Sequence, residues 1–359
     1  MKISKIELWP VDIALTDDFV ISQGAIKQAE NVFVRIVLDN GTEGFGELAP
    51  FEELTGESRD DGLGQLQKLA GVIEGRSVND FRLISERMKE LLPSQAAARC
   101  AIETALLDAY CRLEARPLWS LWCKAPRANL QTDITIPILG YEKSMKLAQH
   151  WQVNGFRVLQ MKVGISSEAE IRLISDIQQL YPEFAFIVDA NMGFQVEKAI
   201  HFINGLTDRG INMLLFEQPN YRGDLDGLRQ IRLNTSVPVA ADEAVFTLED
   251  ARRVIEKEAA DVINLKIMKS GVLETVEIIK ATMAAGLELM IGGMVETRIG
   301  MGCSFALAQS FPGIRYLDLD TPLLMCEDPL TGGYSYDGPD LIPSTKPGLG
   351  IRPKNIPES

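Results

Sequence analysis

FIVDANMG, residues 186–193, ends a short apolar run on an acid, Asp189, and four other segments each end an apolar run on a charged residue, two acids and two lysines, at nearly constant spacing. LLFEQPN (214–220) ends on Glu217 and VAADEAV (239–245) on Asp242, so the three acids are 28 and 25 residues apart. VLQMKVG (158–164) carries Lys162, 27 residues before Asp189, and VINLKIMK (262–269) carries Lys266, 24 residues after Asp242. One strand, one helix and two loops take about this many residues, since roughly 250 residues make eight such units. Each of five successive βα units therefore places one charged side chain at the C-terminal end of its strand. In a closed barrel those ends converge on one mouth. Three carboxylates there call for a cation, and two lysines beside them for a proton that moves.

The same alternation continues on both sides. After Leu130 the apolar segments TDITIPI, VLQMKVG, FAFIVDA, MLLFEQP, PVAADE, DVINLKI, LELMIGG and IRYLDLD alternate with amphipathic segments such as EAEIRLISDIQQLY and LEDARRVIEKEA. That pattern predicts an α/β fold, a modified TIM barrel of (β/α)7β type, over residues 126–325. Residues 1–125 read as an α+β capping domain. KISKIELWPVDI, a polar loop from Thr16 to Glu30 and NVFVRIVLDNGTEGFGEL predict a small antiparallel sheet, and three helical patterns follow from Asp60 to Ala115. Residues 326–359, rich in Gly and Pro, read as a segment packing back on the capping domain.

A chain of 359 residues, 46% hydrophobic and 24% charged, can bury a sizeable core. Its net charge of −14 sets general repulsion against nucleic acid and anionic membranes, which favours a small-molecule substrate. Five cysteines with no CxxC pair read as reduced thiols, and no 18-residue apolar span or basic-then-apolar leader is present, so a cytoplasmic location is expected. The two histidines, His150 and His201, lie in helical patterns and read as surface residues. Oxygen-only donors favour a hard divalent cation, Mg²⁺ or Mn²⁺, over Zn²⁺.

With these residues in hand, the sequence resembles the enolase superfamily, in its muconate lactonizing enzyme subgroup, over essentially the whole chain. The resemblance implies that Asp189, Glu217 and Asp242 are metal ligands, that Lys162 and Lys266 are the acid/base pair, and that loops near Phe19–Lys27 and Phe51–Glu57 close over the substrate. It also implies a homo-oligomer. Asp318-Leu319-Asp320 in YLDLDTPLL is similar to the last barrel strand of the dipeptide epimerases, where two acids hold the substrate's free α-ammonium. An ammonium with three donors suits two acceptor carboxylates on one strand face. Thr132-Asp133 and Thr135 match epimerase text as well.

Two positions depart from the family pattern. Gln160 stands where Lys-x-Lys would have its outer lysine, and Gly24 where epimerases acting on Ala-Glu have an arginine, leaving Lys27 as the nearby cation. The leading expectation is a Mg²⁺-dependent dipeptide epimerase. Its two lysines, on opposite faces of an enediolate, remove and return the α-proton of the C-terminal residue. Met294 favours an apolar side chain and Glu296 lines the pocket. The alternatives are N-acylamino acid racemisation, o-succinylbenzoate synthesis or muconate cycloisomerisation, or a metal-binding member that has lost activity through Gln160.

Overall fold

In the computed structural model, which describes residues 1–357, the chain begins with an antiparallel sheet of β1 (Ile3–Ile21), β2 (Gly24–Leu38) and β3 (Glu43–Leu48). The expected polar loop from Thr16 to Glu30 is instead hairpin. Pairing resumes at Phe19↔Ile26 after a register shift and runs to a tight turn at Ser22-Gln23. Asp17 and Asp18 hide that continuation in the sequence, yet Phe19, Ile21 and Ala29 keep burying one face with period two. The hairpin tip therefore projects far enough to reach the barrel.

Helices α1 (Glu52–Thr55), α2 (Arg59–Ile73), α3 (Phe81–Leu91) and α4 (Ala96–Leu113) follow. α4 is apolar on nearly all sides because it is buried on nearly all sides. It lies so close to β3 that a Cβ added at Gly46 would come within 1.9 Å of the Ala101 carbonyl oxygen, and only glycine fits there.

Eight parallel strands then form one sheet in sequence order: β4 (Ile134–Ile136), β5 (Val158–Lys162), β6 (Ala185–Asp189), β7 (Met213–Glu217), β8 (Val239–Ala241), β9 (Val262–Leu265), β10 (Glu288–Ile291) and β11 (Ile314–Leu317). Between them run α5 (Tyr141–Val153), α6 (Ser167–Leu180), α7 (Val196–Thr207), α8 (Leu225–Leu233), α9 (Leu248–Glu256), the short α10 (Ile267–Ser270) with α11 (Val272–Ala284), and α12 (Arg298–Ser310). The last strand meets the first through Asp133 N–H to the Leu317 carbonyl at 2.9 Å and Leu319 N–H to Thr132 Oγ1 at 2.8 Å. This is the (β/α)7β arrangement read from the sequence.

After β11 the chain turns back toward α4. Leu349 N–H donates to Asp108 Oδ1 at 2.7 Å and Arg112 to the Ile351 carbonyl at 2.5 Å. Among the described residues no helix is long and apolar enough to cross a membrane. All five cysteines are free; Cys326 is exposed, whereas Cys100, Cys111 and Cys303 are buried.

Candidate active site

Parallel register sets the site. Lys162 pairs with Asp189 and Asp189 with Glu217 across β5, β6 and β7, so three side chains stand at one level of the mouth. Asp242 follows the last residue of β8, and one carboxylate oxygen from each of Asp189, Glu217 and Asp242 lies within 4.8 Å of the others. All three acids are buried. The backbone behind them is bent into the left-handed region at Asn191 (φ 41°), Met192 (φ 65°) and Gln218 (φ 31°), a strain that clusters where side chains must be aimed. The Asn191 amide bridges Asp189 Oδ2 and Glu243 Oε1, both at 3.1 Å, while Gln218 Oε1 accepts from the Asp242 and Ala244 N–H groups.

Every member of this triad faces a donor. Lys162 Nζ is 2.6 Å from Asp189 Oδ2, Lys266 Nζ is 2.7 Å from Asp242 Oδ2, and Lys269 pairs with Asp242 Oδ1. Glu217 accepts from the amides of Gln160 at 3.1 Å and Asn264 at 2.5 Å. Burial, then Asp189 and Asp242, push the Glu217 pKa well above its ordinary value. Burial alone would raise Asp242 too, but Lys266 and Lys269 hold its carboxyl below the usual range. Burial opposes the charge on Lys162 and Lys266, and the carboxylates around them more than offset it, so both ammonium pKa values rise. Because Lys162 ends the second of eight strands and Lys266 directly follows the sixth, they approach the mouth from opposite walls.

Asp318 and Asp320 make a second cluster with Asp133, again with one oxygen from each within 4.8 Å of the others. Asp320 Oδ2 accepts the Thr135 N–H at 2.6 Å, and Thr135 Oγ1 lies 3.5 Å from Gln160 Oε1. Gln160 thus spans the two clusters. Asp320 lies beyond β11, at the start of a 3₁₀ turn, and not in the strand itself. Burial and then Asp318 push its pKa up to about 8.

The cap covers this mouth. Ser22 Oγ donates to the Ala190 and Asn191 carbonyls at 2.8 Å each, and Gln23 Nε2 to the Asn191 carbonyl at 2.9 Å, which seats the hairpin tip on the loop after Asp189. That contact brings the Phe19 ring to 5.9 Å from Lys162 Nζ. A small cavity of about 20 Å³, room for about one water, remains between Phe19, Thr135, Lys162, Lys266, Met294 and Asp318. Beyond Phe51 lies a wider cavity of about 510 Å³, reached by Ile26, Lys27, Glu30 and Val295.

Glu296 and Gly24 are not among the residues that line these two cavities. Glu296 is fully buried, with Oε1 accepting from Met294 N–H and the carboxylate packed under Gly293 and Gly300. Gly24 faces Glu53, whose Cγ lies 3.0 Å from where a Cβ would stand, so a larger residue there requires the exposed Glu53 side chain to shift. Lys269, Asn191, Asn264 and Asp133 were given no role from the sequence. Lys269 had a signal, since it stands one turn after Lys266, but only the short α10 turns it toward Asp242.

Residues 143–356 match the family described as enolase C-terminal domain-like, and residues 5–122 the mandelate racemase / muconate lactonizing enzyme N-terminal domain. The chain is 37% identical over 342 residues to an L-Ala-D/L-amino acid epimerase of Populus trichocarpa, covering 94% of this chain and 81% of that protein. It is 35% identical to an aromatic dipeptide epimerase of Herpetosiphon aurantiacus, covering 95% of this chain and 96% of that one. A dipeptide epimerase from Enterococcus faecalis, solved with Mg and the dipeptide L-Leu-L-Tyr, superimposes with a TM-score of 0.94 at 32% identity over 98% of this chain and 99% of that one. Several homologues at this level thus support dipeptide epimerase activity, and the chain is an isomerase of the racemase/epimerase type. By fold, by site geometry and by these matches across nearly its whole length, the chain belongs to the enolase superfamily, with the N-terminal and C-terminal domains of the mandelate racemase / muconate lactonizing enzymes.

Proposed function

We propose that the protein is a divalent-cation-dependent dipeptide epimerase inverting the α-carbon of the C-terminal residue. The observation that carries this reading is the pairing of two buried acid triads at one mouth, with lysines from opposite walls between them. Asp189, Glu217 and Asp242 fit a hard cation: they offer only oxygen, they are buried, and the mutual repulsion of their carboxylates is an unmet demand for positive charge at Glu217. A Mg²⁺ or Mn²⁺ held there would supply charge against the substrate carboxylate as it takes up electrons from the breaking C–H bond.

The rest of the reaction belongs to the chain's own residues. Asp318 and Asp320 hold the α-ammonium of the N-terminal residue, which sets the distance to the α-carbon of the second. One lysine, deprotonated, takes the α-proton. The other, protonated on the opposite face, returns one, so configuration inverts and the reaction runs both ways. Phe19, Ile21, Leu54 and Met294 line the cavity and suit an apolar side chain, while the closed cap keeps water away. Thr135 fixes Asp320 through its N–H. Muconate cycloisomerisation, o-succinylbenzoate synthesis and N-acylamino acid racemisation bring no ammonium and leave Asp318 and Asp320 without a task.

Incubation with Mg²⁺ and a set of dipeptides in D₂O tests this. Gain of one deuteron at the C-terminal α-carbon, with both epimers formed, is expected for dipeptides with apolar C-terminal residues. Exchange in N-acyl amino acids alone would overturn the reading, and absence of exchange in any substrate would favour a member silenced by Gln160.

A further inference from the structure

Asp133 has no part in the chemistry above, yet its environment is unusual. It lies one residue before β4, on the strand face that also carries Thr135, and its N–H bond to Leu317 closes the barrel beside Asp318. The side chain is 4% exposed, and neither carboxylate oxygen accepts a hydrogen bond from the protein. Asp320 Oδ1 is buried in the same way without a donor. Buried acceptors of this kind carry the full desolvation cost unless a donor reaches them. Among the described residues no lysine or arginine lies within ion-pair distance of any of the three acids, Lys162 and Lys266 reaching only the shared cavity, whereas each flank of the first triad has such a pair. The cavity reaches this cluster at Asp318 and Thr135, so the donor can come with the substrate.

We propose that Asp133 is the third arm of an ammonium cradle: with Asp318 and Asp320 it gives each N–H of the dipeptide's α-ammonium its own acceptor. Three acceptors at about 2.8 Å around a tetrahedral nitrogen stand about 4.6 Å from one another. The cluster provides one oxygen per residue inside 4.8 Å. A third acceptor leaves no ammonium proton unpaired, and it selects for a primary amine, because an N-acyl nitrogen has one N–H and no charge. Burial first, and then Asp318 and Asp320, raise the Asp133 pKa well above the ordinary carboxyl range, so the cradle avoids three bare negative charges before a cation enters. The proposal rests on the dipeptide reading.

The test is the dissociation constants of one dipeptide and its N-acetyl form, with Mg²⁺ present, for the wild type, Asp133→Ala and Asp133→Asn. The alanine variant is expected to lose at least tenfold in affinity for the free amine and less than threefold for the acetylated form, with Mg²⁺ affinity unchanged. The asparagine variant, which keeps volume and one neutral acceptor, is expected to lie between and carries the test if alanine fails to fold. An unchanged free-to-acetyl ratio in both variants overturns the cradle, as does loss of Mg²⁺ binding, which would place Asp133 with the other triad. A wild type that binds both forms equally overturns the dipeptide reading itself, and the cradle with it.

Discussion

Two clusters of three buried carboxylates face one another across the barrel mouth, and they differ in what surrounds them. Asp189, Glu217 and Asp242 are flanked by Lys162, Lys266 and Lys269 and by the amides of Gln160 and Asn264. Asp133, Asp318 and Asp320 have backbone and hydroxyl neighbours and, among the described residues, no cationic side chain in ion-pair contact, although Lys162 and Lys266 share the cavity with Asp318. The first cluster is offset in part by its own lysines, and Glu217 is still left short of positive charge. The second depends on positive charge arriving from outside. A resident ion and a charged substrate thus impose different surroundings on the same residue type.

The largest effect is expected from breaking the first cluster. Glu217→Gln removes one negative charge from the triad, and turnover should fall by several orders of magnitude while thermal unfolding stays cooperative. Near-native turnover at saturating Mg²⁺ would remove Glu217 from the ligand set. Breaking the second cluster should cost less and act selectively. A charge-assisted hydrogen bond is worth about 1.5–3 kcal/mol, so Asp318→Asn combined with Asp320→Asn should lower kcat/KM for free dipeptides at least roughly tenfold, with N-acetylated analogues much less affected. Equal losses for both substrate forms would erase the distinction between the clusters.

A smaller effect separates the site from the cap that covers it. Glu57 Oε1 accepts the Ala97 N–H at the start of α4, and burial pushes its pKa up to about 7, against the pull of that N–H and Arg99. The fold holds this proton more tightly than the unfolded chain does. Its stabilising share is therefore complete below about pH 4.5 and is lost as pH rises through about 7. Glu57→Gln should remove that slope, and the melting temperature should fall less steeply from pH 5 to 8 in the variant than in the wild type. Parallel curves would show that Glu57 does not titrate in this range.

The constant spacing of Asp189, Glu217 and Asp242 made the barrel legible, because parallel strands of similar length put their last residues at one level. The same regularity exposed Lys162 and Lys266. Asp133 escaped this logic, since it precedes its strand and acquires a role only where the barrel closes on Leu317. Lys269 depends on a helix of four residues, too short to show a period. Glu296 lies in the loop between β10 and α12, where Gly293 and Gly300 leave room for it to fold inward. The hairpin under Phe19 was hidden by Asp17 and Asp18 at a register shift that only pairing reveals.

The division between the clusters is tested most directly without any substrate, by calorimetric titration of Mg²⁺ into the wild type, Glu217→Gln and the Asp318→Asn, Asp320→Asn double variant. One Mg²⁺ should bind the wild type and the double variant with similar affinity, and binding to Glu217→Gln should be weakened by at least an order of magnitude. Retained binding in Glu217→Gln together with loss in the double variant would place the cation in the second cluster and contradict the account.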